Sequence, residues 1–321
     1  MLHFRRACWL MFAAIMVSPV TAQDYPTKPI RLIVTGGAGG TTDVVARVVG
    51  DKLAGVIGQP IVYDNRAGAS GIIAADLAAK SAPDGYTMYI ATTGGLAINV
   101  SLFKKLPYDP VRDFAPVALL GSQPYMLVVH PSVPAKSVAE LIKLARSAPG
   151  KLSFSHTGMG SSTHLAGALL EGETGVTFLS VSYKSPAHLT AVLSGEVSFT
   201  ITSVNLAWAQ AQAGRVRALA VTSRQRAAVA PNVPTMIEAG VPDYETGNWY
   251  GFLMPAATSP AIVSFISGKT NEVLKRPDTR ALLARAKVEA LGSSPQEFAK
   301  FIGTETAKFA AMIKHAGIKS E

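Results

Sequence analysis

Apolar and polar positions alternate with two different periods along the chain. Short apolar runs at 30–34, 87–91 and 152–155 are typical of buried strands, and each leads into a stretch whose apolar positions cover one helix face. This repeated strand–helix order predicts an α/β protein with a parallel sheet and helices on both faces. Further strands are predicted at 117–120, 126–129 and 249–254. The chain ends in predicted helices at 261–274, 278–287 and 295–315.

A glycine-rich loop follows the first predicted strand. The run Gly36-Gly37-Ala38-Gly39-Gly40 precedes Thr41, Thr42 and Asp43, where a helix is expected to begin. Thr41 or Thr42 is predicted to cap the helix, and Asp43 to complement its dipole and orient the loop. Because the loop has almost no side chains, backbone N–H groups at the positive end of the helix would be open to an anion.

Two nucleotide-binding motifs were compared with this loop. A P-loop ends in Gly-Lys-Ser/Thr, and the run contains no lysine. A dinucleotide fingerprint has the form G-x-G-x-x-G, of which Gly37-Ala38-Gly39 supplies the first half, and Asp64 ends the next predicted strand at a suitable distance. Dinucleotide binding therefore stays open as an alternative, although only half of its motif is present. No cofactor is predicted.

The same arrangement of strand, small-residue loop and helix recurs twice. The strand at 87–91 leads into Thr92-Thr93-Gly94-Gly95. The strand at 152–155 leads into the loop 156–164, His-Thr-Gly-Met-Gly-Ser-Ser-Thr-His, and then a helix from Leu165. Ligands of open α/β sheets bind beyond the carboxyl ends of the strands, where these loops lie. The pattern predicts a cleft in which an anion is held from both sides.

The N-terminus has the organisation of a secretory signal peptide. Arg5 and Arg6 precede an apolar segment, 7–17, that is too short to span a bilayer, and Val20-Thr21-Ala22 is a small-residue cleavage site. We predict a signal peptide at 1–22, cleaved after Ala22, and a periplasmic location. Cys8 is the only cysteine, so the mature chain is predicted to have neither a disulfide nor a cysteine metal site.

Composition narrows the function classes further. The chain has 321 residues, 48% of them hydrophobic, which suffices for one large or two medium domains. Its net charge is +9, but the basic residues are scattered without a dense stripe, so no nucleic-acid partner is predicted. The six histidines are dispersed with no H-x-x-x-H or H-E-x-x-H motif, and no metal site is predicted.

An ordered set of short motifs resembles a known family. The motifs are YPTKPIR at 25–31, TDVVAR at 42–47, DNRAGA at 64–69, APDGYT at 82–87, LPYDP at 106–110, DFAPV at 113–117, HPSVPA at 130–135, LAVT at 219–222 and VPTMIEAG at 233–240. Together they are similar to the extracytoplasmic solute receptors of tripartite tricarboxylate transporters, the Bug family. The resemblance covers nearly all of the chain after the predicted signal peptide.

The resemblance implies a two-lobed type II periplasmic binding protein fold with a ligand cleft between the lobes. Lobe one would comprise 23–124 and 247–321, and lobe two 125–246. A small carboxylate, aliphatic or aromatic, would be held by backbone N–H groups, hydroxyls and water, without a cofactor. The implied protein is a monomer that delivers its ligand to the integral membrane subunits of a tripartite transporter.

The resemblance also implies which residues contact the ligand. Lobe one would contribute Gly37, Ala38, Gly39, Gly40, Thr41, Thr42, Asp43, Thr92, Thr93 and Gly94. Lobe two would contribute His156, Thr157, Gly158, Gly160, Ser161, Ser162, Thr163 and His164, and the pocket would be completed by Tyr183, Ser203, Asn248, Trp249 and Tyr250. The family usually has prolines at 35, 37 and 38 and Asp-Asn at 202–203. The absence of the prolines implies a more mobile first loop. The absence of the acid at 202 argues against a ligand with an ammonium group.

Several of these side chains have an alternative structural role. His156 is expected either to bind the ligand or to face solvent, and His164 to cap or pack rather than to contact the ligand. Tyr183, Trp249 and Tyr250 are expected in the pocket wall or in the core, and Lys184 at the surface.

Two alternative functions stay open from the sequence. One is an exported hydrolase, since Gly158-Met159-Gly160-Ser161-Ser162 resembles the nucleophile elbow G-x-S-x-G with histidines nearby, although no acid lies within the loop. The other is a receptor that signals to a membrane sensor.

Overall fold

The computed structural model describes residues 25–183, 187–315 and 317–318. The predicted signal peptide and Lys184 lie outside the described residues. Within these ranges, no helix combines the length and the apolar composition needed to cross a membrane.

The first part of the chain alternates strands and helices as predicted. Its elements are β1 (Ile30–Thr35), α1 (Thr41–Ile57), β2 (Ile61–Arg66), α2 (Ile72–Ala79), β3 (Thr87–Thr92), a π-helical turn (Gly94–Ile98), α3 (Asn99–Leu102) and β4 (Phe114–Val129). The second part comprises α4 (Val138–Ser147), β5 (Ser153–His156), α5 (Ser162–Thr174), β6 (Leu179–Ser182), α6 (Ala187–Leu193), β7 (Phe199–Ser203), α7 (Val204–Gln212) and β8 (Arg217–Val221). The last part comprises β9 (Gly247–Pro255), α8 (Pro260–Lys275), α9 (Pro277–Arg285), β10 (Glu289–Ala290) and α10 (Pro295–His315).

The strands form a mixed sheet in the order β2-β1-β3-β9-β4-β7-β5-β6, with β8 and β10 also paired to β4. β1, β2 and β3 pair in parallel, as do β5, β6 and β7. β9 pairs antiparallel with both β3 and β4, so the prediction of a parallel sheet is wrong at its centre. A strand buried on both faces is apolar throughout, and its sequence does not encode its direction.

β4 is one 16-residue strand, so the prediction of two strands at 117–120 and 126–129 is wrong. Residues 114–124 pair with β9, whereas residues 125–129 pair with β7 and β8. The stretch Gly121-Ser122-Gln123-Pro124 interrupts the apolar pattern, but pairing with β9 keeps it extended; the two register shifts of this pairing precede it, between 116 and 118 and between 119 and 121. A Cβ at Gly121 would lie 2.4 Å from the Glu289 carbonyl oxygen, so glycine there allows β10 to approach.

The C-terminal helix α10 supports the middle of the molecule. It begins with a capping box, in which the Ser294 Oγ accepts from the Glu297 N–H at 3.2 Å and the Glu297 carboxylate accepts from the Ser294 N–H at 2.8 Å. Phe298 and Phe309 are fully buried on its inner face. The helix packs against α5, β4 and the π-helical turn, and thereby connects the two groups of parallel strands.

Candidate functional site

A cleft of about 460 Å³ lies between the loop 157–162 and the π-helical turn with α3. Its lining is Ser70, Gly94, Ile98, Asn99, Leu102, Phe103, Thr157, Gly158, Met159, Gly160, Ser161, Ser162 and Ile318. None of these residues carries a charged side chain. A ligand in this cleft would therefore be recognised by hydrogen bonds and apolar contacts rather than by ion pairs.

The loop 157–162 is held in one conformation by its own hydrogen bonds. Gly158 and Gly160 have φ of +128° and +71°, in the region that favours glycine. The Thr163 hydroxyl accepts from the Thr157 N–H at 3.0 Å and lies 3.0 Å from the Ser161 Oγ. Ser161 caps α5, since its Oγ accepts from the His164 N–H at 3.2 Å.

The N-terminus of α5 provides donors at the cleft. The N–H groups of Ser162 and Thr163 have no acceptor among the described residues, as expected in a first helical turn. The Ser162 Oγ accepts from the Tyr125 hydroxyl at 2.7 Å, so its own hydrogen is available. These donors lie at the positive end of a 13-residue helix, which suits a carboxylate oxygen.

Two histidines lie behind the loop. His156 is completely buried, with Nδ1 2.9 Å from the Gly158 carbonyl oxygen and Nε2 2.8 Å from the Ser180 Oγ. The expectation that His156 could face solvent is therefore wrong, and protein groups already contact both ring nitrogens. His164 is 5% exposed, and its Nδ1 accepts from the Gly160 N–H at 3.1 Å.

Both imidazoles are held neutral near pH 7. Burial lowers the pKa of His156, although the hydrogen bond with the Gly158 carbonyl opposes the shift. Burial, and then repulsion from His156, lowers the pKa of His164 to about 4. The ring centroids are 4.4 Å apart, so two positive charges there would repel strongly. The pair supports the loop as neutral hydrogen-bonding groups.

The first glycine-rich loop differs from the prediction at its helix cap. Gly40 is the N-cap of α1 and no side chain caps the helix, because Thr41 is already the first helical residue. The prediction that Thr41 or Thr42 would cap is therefore wrong. The N–H groups of Thr41, Thr42 and Asp43 donate to no described group, but the residues 37–43 are not part of the cleft lining.

Asp43 holds this loop from its buried side. It is 3% exposed and accepts from the Gly39 N–H at 2.9 Å, the Asn65 Nδ2 at 3.0 Å and the Arg47 Nε at 3.0 Å. Burial alone would raise the pKa of Asp43, but these hydrogen bonds from Arg47, Gly39 and Asn65 outweigh it and lower the pKa below its usual range. The carboxylate is satisfied within the protein.

Other predicted residues lie away from the cleft. Thr93 is buried, and its Oγ1 accepts from the Trp249 N–H at 2.9 Å. Trp249 is 2% exposed and donates from Nε1 to Glu305 at 3.1 Å, and Tyr250 is a core residue. The Tyr183 hydroxyl donates to Glu196 at 2.8 Å.

A second cavity of about 270 Å³ includes Asn248 and Trp249. It shares no lining residue with the cleft.

The structure thus divides the predicted residues into two groups. Those it brings together in the cleft are Gly94, Thr157, Gly158, Gly160, Ser161 and Ser162. Those it places outside the lining are Gly37, Ala38, Gly39, Gly40, Thr41, Thr42, Asp43, Thr92, Thr93, His156, Thr163, His164, Tyr183, Ser203, Asn248, Trp249 and Tyr250.

Sequence reasoning missed the apolar part of the lining. Met159 lies between the two glycines of the predicted ligand loop 156–164, so its position was a usable signal. Ser70 lies in Gly68-Ala69-Ser70-Gly71, a small-residue loop after β2, and has a φ of +52°. Leu102 and Ile318 carried no signal, because apolar residues at helix ends are usually core.

The loop has no catalytic arrangement. Ser161 is bonded to the His164 main chain rather than to an imidazole, and the Gly160 N–H occupies the His164 Nδ1. Among the described residues, no Asp or Glu hydrogen-bonds either imidazole, and no group of three possible metal ligands occurs. The nucleophile–base pair that a hydrolase needs is not formed in the described loop.

Known proteins that are similar to this chain belong to a family of receptors. A family model described as "Tripartite tricarboxylate transporter family receptor" matches residues 45–318. Protein BugT of Bordetella pertussis is 34% identical over 306 residues, which cover 95% of this chain and 94% of BugT. These relatives are solute-binding receptors and not enzymes, so the hydrolase alternative is wrong.

Solved structures extend the comparison to the fold. The R. palustris protein Rpa4515, solved with adipate, is 37% identical with a TM-score of 0.78, covering 93% of this chain and 100% of that chain. MatC from Rhodopseudomonas palustris, solved with malate, is 30% identical with a TM-score of 0.73, covering 90% and 100%. The chain therefore belongs to the receptor family of tripartite tricarboxylate transporters and has its two-lobed type II periplasmic binding protein fold.

Proposed function

We propose that this protein is a periplasmic receptor that binds a small organic carboxylate and delivers it to the membrane subunits of a tripartite transporter. The observation that carries the proposal is the N-terminus of α5, where the N–H groups of Ser162 and Thr163 have no acceptor among the described residues and Ser162 lines a cleft without charged side chains. Relatives solved with adipate and malate support the carboxylate class. The predicted signal peptide supports the periplasmic location.

The proposed lobes are 23–124 with 247–321, and 125–246. β4 changes partners between Pro124 and Tyr125, and β9 begins at Gly247, which supports these boundaries. The cleft lining comes from both proposed lobes of one chain, which supports a monomeric receptor. A ligand that contacts both lobes would shift an open–closed equilibrium toward the closed form, and the membrane subunits would bind that form.

The first glycine-rich loop is proposed as a second anchor. The free N–H groups of Thr41, Thr42 and Asp43 form the same kind of donor set as those of α5. Since this loop does not line the cleft, its contribution depends on lobe movement or on bridging water. His156 and His164 are proposed to position the loop 157–162, called the second loop below, rather than to contact the ligand.

The test uses titration calorimetry on the chain beginning at Gln23. Adipate is compared with adipamide, which has the same length and no charge. Ser162→Pro removes one N–H and the hydroxyl, whereas the helix is kept, since proline is favoured at the first helical position. Ser161 has φ −64° and ψ 156°, which is compatible with a following proline.

We expect adipate, and not adipamide, to bind. Ser162→Pro should weaken adipate binding by about 1.5–3 kcal/mol, the range for a hydrogen bond to a charged group. Ser162→Ala is the matched control for the hydroxyl and its bond with Tyr125, so the difference between the two variants isolates the N–H. Thr41→Pro applies the same change to α1 and tests the second anchor.

Equal binding of acid and amide would refute the carboxylate site. So would the absence of binding by adipate, malate, hexanoate and benzoate to a protein with a cooperative melting transition.

A further inference from the structure

We propose that the cleft selects carboxylates whose carbon body is unsubstituted and apolar, and that Met159 and Leu102 set this preference. The inference rests on the proposed function and names the substrate class of the same site. It predicts discrimination against hydroxylated and amino-substituted acids of equal length.

Met159 is a large apolar side chain kept at the cleft surface. It is 66% exposed, although it lies between Gly158, whose main chain is hydrogen-bonded to the His156 Nδ1, and Gly160, whose N–H donates to the His164 Nδ1. The backbone on either side is thus fixed, and the side chain lines the cleft instead of joining the core. Contact with an apolar ligand would remove this surface from water.

Leu102, the last residue of α3, contributes an apolar side chain to the lining of the same cleft. A Cβ at Gly160 would lie 2.8 Å from the Leu102 Cδ1, so the second loop already approaches α3 at this point. Ile98, Phe103 and Ile318 extend the apolar lining around Leu102. A ligand body between Met159 and Leu102 would therefore be enclosed by carbon and sulfur atoms.

Two polar side chains of the lining, Asn99 and Thr157, are already paired with protein groups. The Asn99 Nδ2 donates to the Ser70 carbonyl oxygen at 3.0 Å. The Thr157 hydroxyl lies 2.9 Å from the Thr163 hydroxyl, which also contacts Ser161. The free donors of the second loop lie at the start of α5, where the carboxylate is proposed to bind.

A hydroxyl on a ligand body that lies between Met159 and Leu102 would lose hydrogen bonds to water and would face apolar side chains instead. An ammonium group would in addition meet no carboxylate, because the lining has no charged side chain. Burial of an unpaired polar group is unfavourable, and burial of an unpaired charge more so. Adipate should therefore bind more tightly than 3-hydroxyadipate, which has the same length and the same two carboxylates.

The experiment measures the dissociation constants of these two acids by calorimetry, for the wild type and for Met159→Gln. Glutamine has nearly the same shape as methionine but a polar end. For the wild type we expect a preference for adipate of roughly 10- to 100-fold, the range over which apolar pockets discriminate. Met159→Gln should reduce this ratio at least about threefold, mainly by weakening adipate binding.

Val111→Thr is the matched control, since Val111 is 67% exposed and outside the cleft lining, and the change is also from an apolar side chain to a polar isostere. It should leave the ratio unchanged, and both variants should keep the wild-type melting temperature. Equal affinities for the two acids, or an unchanged ratio in Met159→Gln, would overturn the preference while the receptor function stands. Absence of binding by both acids would overturn the preference, whereas the proposed function would fall only if malate, hexanoate and benzoate did not bind either.

Discussion

Replacement of Asp43 by asparagine should destabilise the folded protein strongly for a change of one atom. The Asp43 carboxylate accepts from the Gly39 N–H, the Asn65 Nδ2 and the Arg47 Nε, and it is 3% exposed. An asparagine side chain has one oxygen and one NH₂ group. In every rotamer the NH₂ group therefore faces the Gly39 N–H or the Asn65 Nδ2, and that partly buried donor loses its charged acceptor.

The size of the stability loss depends on how exposed each hydrogen-bond partner of Asp43 is to solvent. The Arg47 side chain is 45% exposed, so water screens its ion pair, and its share is under about 1 kcal/mol. Loss of the charged acceptor by a partly buried donor, here Gly39 or Asn65, costs about 1–3 kcal/mol. We therefore expect Asp43→Asn to lower the free energy of unfolding by about 2–3 kcal/mol.

The assay is urea unfolding followed by circular dichroism, with Asp51→Asn as the control. Asp51 lies on the same helix and accepts from the Tyr63 hydroxyl at 2.5 Å in an exposed position, so its loss should cost under about 1 kcal/mol. Because the pKa of Asp43 is lower in the folded protein, its stabilisation is present above the unfolded value of 3.8. It is lost as the pH falls further, through the folded-state pKa.

The difference between wild type and Asp43→Asn should therefore be constant from pH 7 to about pH 4 and shrink below it. A loss no larger than that of Asp51→Asn would refute the role assigned to this carboxylate. A difference that does not change between pH 5 and pH 2.5 would show that its charge is not the stabilising feature.

Two further predictions concern α5. A Cβ at Gly167 would lie 2.3 Å from the Phe154 ring, so Gly167→Ala should cost about 1–3 kcal/mol in urea unfolding. Gly303→Ala on α10, where no described atom lies within 4 Å of the new Cβ, should instead stabilise by up to about 1 kcal/mol. Since the pKa of His164 falls from 6.5 to about 4 on folding, the wild type should lose stability between these values as the pH falls, by up to about 1.4 kcal/mol per pH unit. His164→Asn keeps an acceptor for the Gly160 N–H, so its melting temperature should depend less on pH; parallel profiles would contradict this.

The sequence by itself determined the local elements around the site. The runs before 36 and 156 are apolar and short, and the glycines after them can take conformations that other residues rarely adopt. Strand, loop and helix therefore follow one another as predicted, and α10 spans the predicted range 295–315. The ordered motifs similarly indicated the family, which the comparisons confirmed.

Tertiary structure decided which groups meet. The direction of β9 and the unbroken course of β4 depend on hydrogen bonds to strands distant in sequence, which an apolar pattern does not encode. The family resemblance implied Asp43 and His156 as ligand contacts, yet both are buried and paired with protein groups. Leu102, Met159 and Ile318 come together in the cleft only because α3, the second loop and the end of the chain converge there. A sequence shows which groups a loop carries, whereas packing determines which of those groups line the cleft.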